Sequence, residues 1–483
     1  CTFITLVIES NCSSLHISAH AALPGKYSAE FSHPCFTPVL DFVLIPAAFP
    51  QNLTFIRNYT FRFIDLNGFK TSLRITLNSK ERTFIWVPCL EIKGWFEEPD
   101  DENISVEIDK KICSTITVFS TADIIVHGIV VGGAITGGFL ALPNDYLGKE
   151  YLIDVYTPHK DALPLNARPQ AAITAISDNT SVTIYCVSSC TIDGQTIDGN
   201  ITLNTNTSVL LSTDALANLT GTLVLADKPI SVVVGSTSVV IPMKGGLDYG
   251  VIIEQLIPVS KWGRVHFVPP FQNATNGWII RVSAFYSNTN VTLSQCGNDT
   301  LQHEMLSSQT YIDVKVAENV TESVCMIISD MPVQVMQYMA SSSTSQYGDP
   351  SMTLIPPTQD FHGNTTLRVE NTNRGILQFV DFITTKRGKD SLKLNGTAVS
   401  DFTGYCFNLT EELPVKGYCY FYKMLDNGVY HVTQSDQSEK FLVRLYAQTI
   451  TLGGAMLADL SFQEPEILNV TPDRFTKAPI TPN

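Results

Sequence analysis

The segment Gln255-Leu256-Ile257-Pro258 is a short apolar strand that ends in proline, and its recurrence decides how this chain is built. The same pattern occurs at Val43-Leu44-Ile45-Pro46, Leu140-Ala141-Leu142-Pro143 and Thr353-Leu354-Ile355-Pro356. Successive prolines are 97, 115 and 98 residues apart. Because self-similarity at a fixed period indicates a repeat architecture, the sequence predicts four units of about 100 residues.

A second marker is an aspartate in a small-residue turn, which stands later in each unit and precedes a strand. The four aspartates are 104, 103 and 106 residues apart: Asp123, Asp227, Asp330 and Asp436. A third marker is an Asn/Thr turn that opens a Val/Thr/Ile strand, at 178–184 and again at 287–293. Because the aspartates recur once per unit, we interpret them as turn-forming side chains that bond their own backbone, not as catalytic acids.

Within a unit, apolar and polar residues alternate over short runs, as in Tyr59-Thr60-Phe61-Arg62-Phe63-Ile64. This period of two is typical of half-buried β-strands, and Gly, Asn, Asp and Pro separate the runs. About seven such strands make an antiparallel β-sandwich. The sequence therefore predicts an all-β fold, a tandem array of about four antiparallel β-sandwich-like units with disulfides. The predicted divisions are an N-terminal Cys-containing extension at 1–40, β units at 41–138, 139–252, 253–350 and 351–462, and a Pro-containing C-terminal linker at 463–483.

One apolar segment, Ile124–Leu142, also has the features of a membrane helix, with five glycines in Gly-x-x-x-Gly spacing. Its place in the repeat matches Ile230–Ile257, which has the pattern of a strand, a turn and a strand. Glycines and β-branched residues suit buried strands better than an isolated helix. We therefore predict two strands here.

The asparagines indicate the compartment. Sixteen of the 27 stand in Asn-x-Ser/Thr sequons without Pro at x: Asn11, Asn52, Asn58, Asn103, Asn179, Asn200, Asn206, Asn218, Asn273, Asn290, Asn298, Asn319, Asn364, Asn395, Asn408 and Asn469. Sequons are N-glycosylation acceptors of secreted proteins, so we predict a secreted, extracellular glycoprotein. The net charge of −15 disfavours nucleic acid as a partner. Membrane contact is expected only through an anchor beyond residue 483.

The chain has eleven cysteines, which would form disulfides in an oxidising compartment. Pairing within units is the simplest hypothesis, namely Cys89 with Cys113, Cys186 with Cys190, Cys296 with Cys325, and Cys406 with Cys419. Cys12 with Cys35 would close the extension. Cys1 is then left unpaired, either because the chain is trimmed from a longer one or because Cys1 bonds another molecule.

No local motif indicates catalysis or a metal. The sequence has no Gly-x-Ser-x-Gly elbow, no Walker loop, no dinucleotide fingerprint and no His-Glu-x-x-His frame. Cys186 and Cys190 could be half of a zinc site, but no matching pair accompanies them. The acidic run 97–102 lacks the spacing of a calcium loop and suits a solvated loop better. We predict no catalytic residue, no metal site and no cofactor.

Several ordered segments resemble the N-terminal domain family of IgGFc-binding protein. They are Gly221–Val232, Glu254–Gly263, Leu142-Pro143 with the strand at 151–156, and the turn and strand at 178–184. Together they span about residues 139–460. The resemblance implies an extracellular protein of the mucus or matrix type, with an IgGFc-binding domain.

These observations favour an extracellular binding or structural protein, of adhesion or matrix type, that acts through β-sheet surfaces and is not an enzyme. Its expected partners are extracellular protein or glycan ligands. One alternative is a secreted hydrolase with two carboxylates assembled in space, which leaves no local signature. Another is a subunit that self-associates through Cys1 or through exposed strand edges.

Overall fold

A computed structural model describes the strands of the N-terminal extension and most of the chain that follows it. The described residues are 5–8, 15–18, 26–29, 40–43, 57–65, 70–77, 80–86, 104–108, 115–122, 124–132, 135–158, 168–196, 200–214, 216–241, 249–272, 274, 276–297, 301–317, 323–341, 349–369, 377–407, 417–448 and 453–460. Their regular structure is β-strand, apart from single-turn 3₁₀ segments. The all-β prediction is therefore confirmed.

The strands before the first repeated module are β1 (Thr5–Ile8), β2 (Leu15–Ser18), β3 (Lys26–Ala29) and β4 (Leu40–Val43). The first module comprises β5 (Arg57–Arg62), β6 (Lys70–Leu77), β7 (Lys80–Trp86), β8 (Ile104–Ile108), β9 (Thr115–Ser120), β10 (Ile125–Gly132) and β11 (Ile135–Leu140). The second comprises β12 (Gly148–Leu152), β13 (Pro169–Ala175), β14 (Thr180–Tyr185), β15 (Cys190–Ile192), β16 (Gln195–Thr196), β17 (Ile201–Leu203), β18 (Ser208–Thr213), β19 (Leu223–Val239) and β20 (Gly250–Gln255).

The third module comprises β21 (Gly263–Val268), β22 (Trp278–Ala284), β23 (Thr289–Ser294), β24 (Gln302–Leu306), β25 (Thr310–Val316), β26 (Cys325–Met339) and β27 (Ser351–Ile355). The fourth comprises β28 (Thr365–Val369), β29 (Leu377–Thr385), β30 (Leu392–Leu394), β31 (Thr397–Ala398), β32 (Thr403–Phe407), β33 (Tyr418–Met424), β34 (Gly428–Gln434), β35 (Phe441–Gln448) and β36 (Gly453–Leu457). All paired strands are antiparallel. The residue boundaries predicted for the units, the extension and the linker stay predictions.

Each module has two sheets. One long strand runs through both sheets, or two consecutive strands take its place, one in each sheet. In the third module, the first part of β26 pairs with β21 and β23, and its last part pairs with β22 and β27. We call the sheet on the last part the central sheet and the sheet on the first part the flanking sheet. The central sheets contain β7-β6-β10-β11, β18-β13-β19-β20, β25-β22-β26-β27 and β33-β29-β35-β36. The flanking sheets contain β5-β9-β8, β12-β19-β14-β17, β21-β26-β23-β24 and β28-β34-β30-β31.

The last strands of the four modules meet at the centre of the molecule. Strand β11 contacts β20, β20 contacts β27, β27 contacts β36, and β36 contacts β11. The four central sheets therefore radiate from one core, a radial arrangement that protects the inner sheet edges. The sequence predicted the repeated units but not this closed ring.

The Gly-rich apolar segment folds as the strands β10 and β11, as predicted. Its Phe139 is fully buried and packs edge-on against Phe61, with ring centroids 5.7 Å apart. No helix among the described residues is long and apolar enough to cross a membrane.

Candidate binding surface

The exposed sequons of the structure lie in one kind of sheet. Eight sequon asparagines fall among the described residues, and five of these are exposed. The five are in the flanking sheets or in the turns at their strand ends: Asn179, Asn200, Asn290, Asn364 and Asn395. The half-buried three are Asn58, Asn206 and Asn218. The remaining eight predicted sequons lie outside the described residues: Asn11, Asn52, Asn103, Asn273, Asn298, Asn319, Asn408 and Asn469.

Two recurring aspartates are bonded differently from the prediction. Asp227 Oδ1 accepts a hydrogen bond from the backbone N–H of Ser181 at 2.8 Å, and Asp330 Oδ1 accepts one from Asn290 at 2.8 Å. Both donors lie in another strand, so the predicted bond to their own backbone is wrong for these two. The reason is that both aspartates lie inside a long strand shared by two sheets, where a neighbouring strand begins beside them.

The fourth aspartate forms the predicted local bond. Asp436 Oδ1 accepts hydrogen bonds from Ser438 N at 3.1 Å and Ser438 Oγ at 2.6 Å. The first, Asp123, lies outside the described residues. The recurring aspartates of the described modules thus hold strand starts and turns.

Three disulfides join cysteines within modules. They link Cys186 to Cys190, Cys296 to Cys325, and Cys406 to Cys419. Cys406 and Cys419 are directly opposite residues of β32 and β33. Cys1, Cys12, Cys35, Cys89 and Cys113 lie outside the described residues, so their pairing stays a prediction. Among the described residues, no group of three or more His, Cys, Asp and Glu could hold a metal ion.

A buried arginine joins the second and third modules. Arg281 of β22 forms a two-point ion pair with Asp313 of β25, with Nε–Oδ1 at 2.7 Å and Nη2–Oδ2 at 2.8 Å. Its Nη1 reaches Asp154 Oδ1 of the second module at 3.3 Å. The guanidinium also lies 4.1 Å from the ring centroid of Tyr311. Because Arg281 pairs with both carboxylates, we interpret them as part of the contact between the two modules and not as catalytic acids. We call this contact the Arg281 seam.

A second buried arginine joins the third and fourth modules. Arg444 of β35 pairs with Asp381 of β29 and donates from Nη2 to Pro270 O of the third module at 2.8 Å. Its Nη1 also donates to Gln337 of β26. We call this contact the Arg444 seam. Sequence analysis missed both seams, because the partners are far apart along the chain and no local pattern marks them.

A family model described as IgGFc binding protein matches residues 137–446, which cover the second and third modules and most of the fourth. No curated protein matches the chain.

Proposed function

Because the chain belongs to the IgGFc binding protein family, a family of extracellular binding proteins, we propose that it is a secreted, N-glycosylated protein of adhesion, matrix or mucus type. It captures an extracellular protein or glycan through its central sheets. One observation carries this proposal: all five exposed sequons described above belong to flanking sheets. Since attached glycans are bulky and shield the surface around them, a ligand reaches the central sheets more easily.

The glycan part of the proposal is tested by site occupancy. The protein is secreted from cultured animal cells, and the glycans are released enzymatically in H₂¹⁸O, which labels each former glycan site. We expect label at the five exposed sequons, Asn179, Asn200, Asn290, Asn364 and Asn395. Asn288 is the matched control, because it lies two residues from Asn290 without a sequon. Unlabelled sequons in the secreted protein would contradict the proposal.

The binding part is tested on an array of purified immunoglobulins, secreted glycoproteins and mucin glycans. We expect the secreted protein to bind members of the array. Hydrogen exchange of the bound protein should then show protection in central-sheet strands. Protection confined to the flanking sheets, or no binding to any member, would contradict this part.

A further inference from the structure

Two modules cover the outer edge of the central sheet with an added strand. In the second module, β15 pairs antiparallel with β18, with Thr191 opposite Ser212. In the fourth, β32 pairs antiparallel with β33, with Gly404 opposite Phe421. Strands β18 and β33 occupy equivalent positions. Strand β18 pairs with β13 and β33 pairs with β29, and both partners are the second strand of their module. In these two modules, the outer edge of the central sheet is therefore completed by an antiparallel strand.

In the third module, the described residues form no such strand. Its equivalent edge strand is β25, which pairs with β22 on one side and with no described strand on the other. The added strands arise from two different links: 186–200, between β14 and β17, and 399–417, between β31 and β33. The corresponding links in the third module are shorter, 295–301 between β23 and β24 and 307–309 between β24 and β25, and neither contributes a described strand. The outer backbone groups of β25 thus form an open sheet edge, which is a template for another chain.

A cleft of about 370 Å³ lies along this open edge, between β25 and β24. Its apolar lining includes Leu293, Ile312 and Val314, and its polar lining includes Gln302, Glu304 and Lys315. Asp313 also lines the cleft, but Arg281 already pairs with it. Within the described part of the chain, the side chains of Gln302, Glu304 and Lys315 have no hydrogen-bond or ion-pair partner.

Of the described sequons, Asn290 lies nearest to the cleft in the strand pairing, and its side chain faces away from it. Glu304 stands opposite the buried Val291, so these two side chains share one side of the flanking sheet. Asn290 stands opposite Met305, which is 69% exposed, on the other side. Because successive side chains of a strand point to opposite faces, a glycan on Asn290 would leave the cleft open.

We propose that this cleft binds an extended segment of a second protein, which adds to β25 as an antiparallel strand. The segment carries β-branched residues, which pack on Ile312 and Val314, and a basic side chain, which meets the unpaired Glu304. Backbone hydrogen bonds to a sheet edge supply affinity in this mode, and alternate side chains supply specificity. This inference rests on the proposed binding function and names the site and the partner class.

The experiment uses the full secreted chain and three acetylated, amidated peptides. The probe is Thr-Val-Lys-Val-Thr-Val-Thr, one control replaces its Lys by Glu, and another replaces the residue after Lys by Pro, which removes an N–H from the pairing edge. We expect the probe to slow hydrogen exchange at 302–306 and 310–316 only, and the Pro control to bind at neither strand. Glu304→Gln should weaken probe binding by about twofold to fivefold, the size of one partly exposed charge contact. Glu150→Gln removes an exposed carboxylate in β12 and should change nothing.

Three outcomes would overturn the inference. One is no protection by the probe at millimolar concentration, and another is equal binding of the Lys and Glu peptides. The third is slow hydrogen exchange of the outer β25 amides in the absence of peptide, which would show that the edge is already covered. If that slow exchange depends on protein concentration, the edge is covered by a second copy of the chain. If the array still shows binding through central sheets while the peptide fails, only the cleft assignment falls and the proposed function stands.

Discussion

Glu254 and Gln255, at the end of β20, connect three modules through bonds from side chain to backbone. Gln255 Oε1 accepts a hydrogen bond from Leu142 N of the first module at 3.0 Å. Glu254 Oε2 accepts one from Leu354 N of the third module at 2.8 Å. The inner strands of neighbouring modules contact each other without forming a ladder, so these side chains satisfy backbone groups that the ring buries.

The stability of the protein should depend on pH through Glu254. Burial raises the pKa of this carboxyl from 4.5 to about 8, against the backbone hydrogen bonds that it accepts. The folded state therefore holds a proton that the unfolded state has released, and stability falls as pH rises through this window. Glu254→Gln removes an acceptor and should cost about 1–3 kcal/mol at pH 5.

The same substitution removes the titration, so the difference in urea midpoint between the variant and the wild type should narrow towards pH 8.5. Glu150→Gln, which removes an exposed carboxylate, is the control. A difference that stays constant from pH 5 to pH 8.5 would show that Glu254 does not titrate in this range.

At the scale of the elements, glycines at the start of strands allow a close approach to the links between modules. A Cβ on Gly148 of β12 would lie 2.4 Å from Pro258 Cβ, and one on Gly263 of β21 would lie 2.2 Å from Pro357 Cβ. Pro258 ends a recurring strand-proline segment, and Pro357 directly follows the next one. The same contact thus packs the first strand of the second and of the third module against the link into the next module.

Gly263→Ala should destabilise the protein by about 1–3 kcal/mol, because the added methyl group would overlap Pro357, whose ring cannot rotate away. Gly363→Ala is the matched control, because its Cβ would meet only the flexible Nζ of Lys440, at 3.3 Å. Thermal unfolding of the two variants measures the difference. Equal unfolding midpoints would show that the structure accommodates the added methyl group without loss of stability.

At the scale of the whole molecule, buried ionisable groups act in opposite directions on stability. Burial raises the pKa of Asp360 to about 7 and lowers the pKa of His127 and His266 to about 4. Asp360 and Glu254 contribute stability at low pH that is lost as pH rises through their folded pKa values. The histidines contribute stability above pH 6.5, their unfolded pKa, that is lost as pH falls to about 4.

The midpoint of thermal unfolding should therefore fall from pH 6.5 to 8.5, where the histidines are neutral in both states and the raised carboxyls still titrate. Scanning calorimetry across this range checks the prediction. A midpoint that rises between pH 6.5 and 8.5 would be inconsistent with a protonated Glu254 and Asp360 in the folded protein.

The sequence by itself indicated the all-β class, the repeat and, as the simplest hypothesis, the three disulfides described within modules, because each leaves a recognisable pattern of residues. Alternation shows which side of a strand is buried, and cysteines such as Cys406 and Cys419 are close enough in sequence to meet across adjacent strands. The sequons are local in the same way, but their exposure is not. The family resemblance likewise rests on short ordered segments.

Only the tertiary structure decided which surfaces the modules share. The closed ring, the Arg281 and Arg444 seams and the open edge of β25 depend on contacts between residues about 30 to 180 positions apart. Their partners are chosen by packing, and packing depends on the whole set of sheets. The same reason explains Asp227 and Asp330, whose sequence indicates a turn but whose neighbours in space provide the donor.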